Sequence, residues 1–196
     1  MNPFYYVRHG QTAWNIERRC MGQTDIPLDA VGINEAHNIK TLLQNTSIKT
    51  ICHSPLTRAL QTATILNEVL NCPMVAMDNL KECAWGNLEG KLKGNGDYLT
   101  DWVQGITPAG AESYWEFLKR ATSGINEALA YPGPVLIVAH AGVYWAVLKM
   151  MDKDPLHCDP IPNCLPVYHH QPIQKNDSWL TTTLEGSSDY NEYELS

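Results

Sequence analysis

The chain has 196 residues, 44% hydrophobic and 18% charged, a composition that fits one globular domain and excludes a disordered chain. Its 14 Lys and Arg against 21 Asp and Glu leave a net charge of -7, which excludes a broad basic face for nucleic acid while allowing a few cations to converge on a small anion. No stretch reads as a membrane span or a secretory signal, and six cysteines without a CxxC pair read as reduced packing thiols of a cytoplasmic protein.

Phe4–Val7 is short, aromatic and β-branched, and predicts a buried strand running into Arg8-His9-Gly10. Asp29 is the expected N-cap of a helix in which Val31, Ala36, Ile39, Leu42 and Leu43 recur at helical spacing. Thr50–Cys52 predicts a second strand, ending in His53-Ser54-Pro55. The next helix is expected from about Thr57 to Leu70, with Leu60, Ala63, Leu66 and Leu70 on its apolar side and Pro55 near its start. Arg58 then falls in the first turn, where the helix dipole already favours an anion.

Met74–Met77 predicts a third strand, with Glu82 just beyond it. Residues 83–111 carry glycines 86, 90, 94, 96, 105 and 110 and read as a loop/helix insertion with one short helical piece near Tyr98–Val103. Such segments are usually lids or binding loops, so this one is expected to cover the active site. Glu112–Leu129 predicts an amphipathic helix, Pro134–Ala139 a central strand and Val143–Met151 a helix. Prolines 155, 160, 162, 166 and 172 break the chain into turns and short extended pieces before a late edge strand at Trp179–Leu184. Strands alternating with helices predict a single α/β domain over residues 1–196, a three-layer α/β/α sandwich with a mostly parallel central sheet.

Two of these strands end in a histidine followed by small residues, Arg8-His9-Gly10 and His140-Ala141-Gly142. Ligands of open α/β sheets gather at the carboxyl ends of the strands, so both imidazoles are expected in one crevice if the strands are neighbours. Small residues after each histidine would let backbone N–H groups approach an anion. The residue types suit a phosphate monoester. Arginine forks hold its charge, an imidazole can attack phosphorus, and a carboxylic acid can protonate the departing oxygen. Two arginines beside His9 should favour its neutral, nucleophilic form.

Plainer roles are expected elsewhere. His53 reads as a hydrogen-bonded structural histidine, His169-His170 as a solvated or packed pair, and His157-Cys158 lacks partners at metal-ligand spacing. Trp85 and Trp102 could line a substrate cleft, whereas Trp115, on the long helix, is expected in the core.

Arg8-His9-Gly10-Gln11-Thr12-Ala13-Trp14-Asn15 resembles the opening segment of the histidine phosphatase superfamily, the phosphoglycerate mutase-like family. The likeness continues through Gly22-Gln23-Thr24-Asp25, the Ser54-Pro55-Leu56-x-Arg58-Ala59-x-Gln61-Thr62-Ala63 block, Leu80-x-Glu82-x-x-x-Gly86-x-Leu88-Glu89-Gly90, Pro108-x-Gly110-x-Glu112-Ser113 and Val138-x-His140-x-Gly142-Val143. It spans roughly residues 4–165, with the blocks in the family's order. The resemblance implies the phosphoglycerate mutase-like fold and metal-independent hydrolysis of a small phosphorylated metabolite, with no cofactor. It implies His9 as the nucleophile that becomes phosphohistidine, Arg8, Arg58 and His140 as the phosphate pocket, and Glu82 as general acid and then base. Asn15 would lend an amide, the Ala141 N–H would still donate where the family usually has glycine, and Gly22 and Gln23 would sit at the pocket mouth. Leu88 stands where the family often has tryptophan or phenylalanine. The family's cofactor-dependent mutases carry a longer insertion rich in arginine and lysine. Here residues 83–111 contain only Lys91 and Lys93 as cations, which favours hydrolysis. The rival readings are a mutase of the same fold and a non-catalytic member that binds a phosphorylated ligand. The expected partner is a small phosphorylated substrate, with neither nucleic acid nor membrane; a homodimer is left open.

Overall fold

The computed structural model describes residues 2–94, 97–171 and 179–184. Gly96 and Pro172 lie outside that range. The elements in chain order are β1 (Phe4–Arg8), α1 (Ala13–Ile16), α2 (Ala30–Leu43), β2 (Thr50–His53), α3 (Thr57–Leu70), β3 (Met74–Ala76), α4 (Asp97–Val103), α5 (Tyr114–Ala128), β4 (Val135–Ala139), α6 (Ala141–Met150), β5 (Val167–His170) and β6 (Leu180–Thr183). The strands form one sheet in the order β3-β2-β4-β1-β5-β6. β3, β2, β4 and β1 run parallel, and β5 and β6 add an antiparallel edge.

Side-chain alternation sorts the strands between two apolar layers. Phe4, Tyr6, Val135, Ile137 and Ala139 pack with buried residues of α5 and α6. Val7, Ile51, Leu136 and Val138 pack on the other face with Leu43 of α2 and with Ala63 and Leu66 of α3. The result is helix, sheet, helix, as expected from the alternation of elements. Among the described residues no helix is long and apolar enough to cross a membrane.

Caps set the helix starts. Asp29 Oδ1 accepts the Gly32 N–H at 2.8 Å. Ser113 and Glu116 form a reciprocal capping box at α5, so that helix starts at Tyr114, two residues later than the apolar pattern indicates. α6 starts earlier than expected: His140 is its N-cap residue and Ala141-Gly142 its first turn. Pro55 stands before the Leu56 N-cap of α3, not inside the helix.

Several residues face the other way from their sequence expectation. Leu60 is exposed, because α3 buries Arg58, Ala59, Thr62, Ala63 and Leu66. Two residues beyond Arg58 is about 200° around the helix, so burying the arginine carries Leu60 outward. Val31 of α2 is likewise exposed, and the buried face is set by Gly32, Ala36 and Leu43. Trp115 is 68% exposed, whereas Trp102 is buried, its ring tilted against Trp85 with centroids 4.6 Å apart and its Nε1–H donating to Glu112 O at 2.8 Å. The 167–170 segment, read only as extended pieces, is a strand paired with β1. It buries His169 against the Phe4 ring at 4.7 Å and leaves His170 half-buried. All six cysteines are free thiols, and Cys20, Cys52, Cys83 and Cys164 are buried.

β1 and β4 are the neighbours from which the chain departs in opposite directions. After β1 it crosses β4 to reach β2, and after β4 it crosses β1 to reach β5. The carboxyl ends of such a pair open a crevice between the diverging connections.

Candidate active site

Parallel pairing of β1 with β4 puts Arg8 opposite Ala139, and the His9 N–H continues the ladder to Ala139 O at 3.0 Å. The next residues, His9 and His140, therefore stand side by side, with ring centroids 5.2 Å apart. His9 Nδ1 lies 2.7 Å from Gly10 O, which can only accept. The neutral ring thus carries its proton on Nδ1 and keeps the Nε2 lone pair free. Asn163 holds the other end of the residue, its Nδ2 donating to His9 O at 2.6 Å.

Gly10 does not offer its N–H to a ligand as the sequence reading expected. That N–H donates to Thr62 Oγ1 at 3.1 Å, and Thr62 Oγ1 donates to Arg58 O at 2.8 Å. The missing side chain serves packing instead: a Cβ on Gly10 would run into the backbone of Gly32 in α2.

Arg58 is fully buried in the first turn of α3. Its Nη1 and Nη2 donate to Thr24 O at 3.0 Å and Gly22 O at 2.7 Å. Those carbonyls are held by Glu89, whose carboxylate accepts the N–H groups of Gln23, Thr24 and Trp85 within 2.9–3.1 Å. Arg8 is anchored through Nη1 on Ile161 O at 2.8 Å. Arg8 Nε, Arg58 Nε and His140 Nδ1 are buried side-chain nitrogens with no partner among the described residues. Such groups are rare in folded proteins, and three of them fall on side chains gathered at this end of the sheet.

Burial, with the Arg58 and Arg8 cations behind it, holds the His9 imidazole well below the ordinary histidine value. Burial, Arg58, His9 and Arg8 do the same to His140. Burial also brings Arg58 down to about 10, with Glu82 opposing, so the guanidinium stays charged at neutral pH. The site is two neutral imidazoles between two fixed cations.

Glu82 follows a turn at Asp78–Leu80 that leads out of β3. Its carboxylate accepts the Cys83 N–H at 2.9 Å and the Gly142 N–H, in the first turn of α6, at 3.1 Å. Its backbone carbonyl accepts Gln23 Nε2 at 3.0 Å and Arg120 Nη2 at 3.2 Å. Arg120 of α5 is itself fixed by a two-point pair with Glu112, at 2.8 and 2.7 Å. Gln23, expected at the pocket mouth, thus holds the backbone of Glu82, and Gly22 supplies a carbonyl to Arg58. The Asn15 side-chain oxygen accepts the Thr12 N–H and hydroxyl, both at 3.0 Å, and closes the capping box of α1. Only its amide is left for a ligand. Ala141 opens α6, so its N–H is among that helix's unpaired first-turn donors, whereas Gly142's is taken by Glu82.

His53 is buried, with Nδ1 2.8 Å from Ser54 O, the structural role expected of it. His157 is exposed beside Asp154 at 3.0 Å. No group of three or more His, Cys, Asp or Glu side chains suited to a metal occurs among the described residues. Sequence reasoning missed Ser54, Thr62, Glu89 and Arg120 as supports of the site. Ser54, Thr62 and Glu89 stand in the blocks that carry the resemblance, and Ser54 also follows a strand that ends at the same sheet edge as His9 and His140, whereas Arg120 lies outside every such block.

The model of the histidine phosphatase superfamily (branch 1) matches residues 4–163. PhoE of Bacillus subtilis, an uncharacterized phosphatase, is 40% identical over 158 residues, 79% of this chain and 80% of its own. A probable phosphoglycerate mutase, GpmB of Proteus mirabilis, is 33% identical over 150 residues, 71% of this chain and 70% of its own. Among solved structures, TTHB049 of Thermus thermophilus superposes with a TM-score of 0.72 at 28% identity, covering 93% of this chain and 98% of its own.

Proposed function

The chain belongs to the histidine phosphatase superfamily, and from that premise we propose that it hydrolyses a small phosphate monoester through a phosphohistidine on His9. The observation that carries the reading is the 5.2 Å approach of His9 to His140 with unpartnered nitrogens of Arg8, Arg58 and His140 beside it. Three donors and a free Nε2 lone pair match a tetrahedral dianion and an attacking atom.

In the first step the His9 Nε2 lone pair attacks phosphorus as the bond to the leaving oxygen breaks. Protonated Glu82 gives its proton to that oxygen, so the alcohol departs neutral. The Nδ1–H bond to Gly10 O steadies the positive charge that develops on the ring. In the second step Glu82, now a carboxylate, takes a proton from water, the water oxygen attacks phosphorus, and the N–P bond breaks to release phosphate and restore His9. Arg8, Arg58 and His140 hold the charge on the equatorial oxygens through both steps. These steps need no metal, and EDTA should leave the rate unchanged. The 83–111 segment, which contributes Leu88 and the Lys91 and Lys93 cations, would read the leaving group.

Acid lability with alkali stability of a phosphoryl group trapped on the wild-type protein, and its loss in His9→Ala, test the reading. A His9→Ala variant with an unchanged rate of phosphate release would overturn it. The GpmB likeness favours a second reading, a mutase. Interconversion of 3- and 2-phosphoglycerate with a bisphosphoglycerate primer, without release of phosphate, would establish that instead.

A further inference from the structure

The two facing histidines are held by different kinds of partner. A carbonyl fixes the His9 tautomer, since Gly10 O can only accept. His140 instead meets a hydroxyl: its Nε2 lies 2.8 Å from Ser54 Oγ. Ser54 is fully buried at the end of β2, and its Oγ also accepts the Leu56 N–H at 3.3 Å. A serine hydroxyl has one hydrogen to give and two lone pairs to fill.

Two arrangements can be compared. If His140 donated through Nε2, the Ser54 hydrogen would need another acceptor, and no other bonded acceptor for Ser54 Oγ occurs among the described residues. The His140 Nδ1 lone pair would then face a ligand of like charge. If Ser54 donates to Nε2, its one hydrogen is used, the Leu56 N–H fills one of its lone pairs, and the His140 nitrogen left over is an Nδ1–H. That atom is a buried, unpartnered nitrogen on the ring 5.2 Å from His9.

We infer that Ser54 is a positioning residue: its hydroxyl donates to His140 Nε2 and locks His140 in the Nδ1–H tautomer, so that a neutral imidazole presents a donor to the phosphate. This rests on the phosphatase reading above and adds a cause to it. A neutral ring helps the transferring phosphoryl group only if the nitrogen facing it carries the hydrogen. The serine hydroxyl does not titrate in the working range, so it sets this tautomer without a charge of its own. Between two arginines, a carboxylate in its place would draw a proton onto His140 and compete for the same guanidinium groups.

The test is a long-range ¹⁵N–¹H correlation spectrum of the histidine rings in the wild-type protein, with His140 assigned by its loss in His140→Gln. The expected result is a protonated Nδ1 and an unprotonated Nε2 on His140. A protonated Nε2 with an unprotonated Nδ1 overturns the inference, and it does so without touching the phosphatase reading, which stands or falls with the phosphoryl group trapped on His9. Ser54→Ala is expected to shift His140 toward the Nε2–H form, to lower kcat by ~10-fold or more and to weaken metavanadate binding. Ser54→Thr, which returns the hydroxyl, should restore the tautomer and most of the rate. A slow Ser54→Ala variant whose His140 keeps the Nδ1–H form would assign the loss to packing and overturn the inference. If neither variant folds, the wild-type spectrum decides alone.

Discussion

Gly142 donates its N–H to one oxygen of Glu82 at 3.1 Å, and the space a Cβ on Gly142 would fill is the space that carboxylate occupies. The first turn of α6 is shaped around the proposed proton donor. Gly142→Ala should therefore displace Glu82 and lower kcat by ~10²-fold, the scale of losing a positioned general acid, with little change in KM. Steady-state kinetics beside Glu82→Gln check it. The two variants should resemble each other, and the double variant should be little worse than either.

Arg58 helps to depress His9, after burial. Removing that cation raises the His9 pKa, so a higher pH is needed to keep the nucleophile neutral. Arg58→Ala should move the acid limb of kcat/KM to higher pH and lower its plateau by ~10²–10³-fold through lost phosphate contacts. An ¹H NMR titration of the His9 ring, together with the pH–rate profile, reads both effects. A limb that stays in place would show that Arg58 does not set the charge of His9.

Arg120 reaches the backbone oxygens of Asn79, Lys81 and Glu82 while paired with Glu112. Arg120→Met keeps most of the stem and removes these donors. The expected loss is about 1–3 kcal/mol of stability, from carbonyls left without partners. A fall in kcat larger than any rise in KM is also expected, because Glu82 loses its anchor while the phosphate pocket stays. Urea denaturation and single-turnover rates measure the two parts separately.

His169 is buried on β5, with Nδ1 3.2 Å from Thr181 Oγ1 and no partner for Nε2 among the described residues. Burial lowers its pKa to about 3, with Lys153 and His170 adding to the shift. The unfolded chain takes up this proton near pH 6.5, the folded chain only near 3, so stability falls as pH drops through that window and gains nothing above it. Between pH 7 and pH 4.5 the loss from His169 amounts to about 2–3 kcal/mol. His9 and His140, also depressed, act in the same direction. His169→Phe should flatten the pH dependence of the unfolding free energy from urea denaturation by that amount.

The sequence by itself determined what is local: that Phe4–Val7 and Pro134–Ala139 make buried strands, that each ends in a histidine, and that Arg58 opens a helix. These follow from residue type and spacing over fewer than a dozen positions, whereas the roles of His9, Arg8, Arg58 and Glu82 came from the resemblance that the ordered blocks carry. Only the tertiary structure decided the supports. Ser54 meets His140 across 86 positions, Arg120 meets Glu82 across 38 and Glu89 meets Thr24 across 65, and no local pattern records such pairs. It also decided which face of α3 turns inward, since hydrophobic spacing assumes that the buried face is apolar. Here the buried arginine is held by the carbonyls of Gly22 and Thr24, and the sheet turns Leu60 out to keep it in place. Short-range preference selects the elements, whereas the hydrogen bonds that aim their side chains exist only once distant segments are packed together.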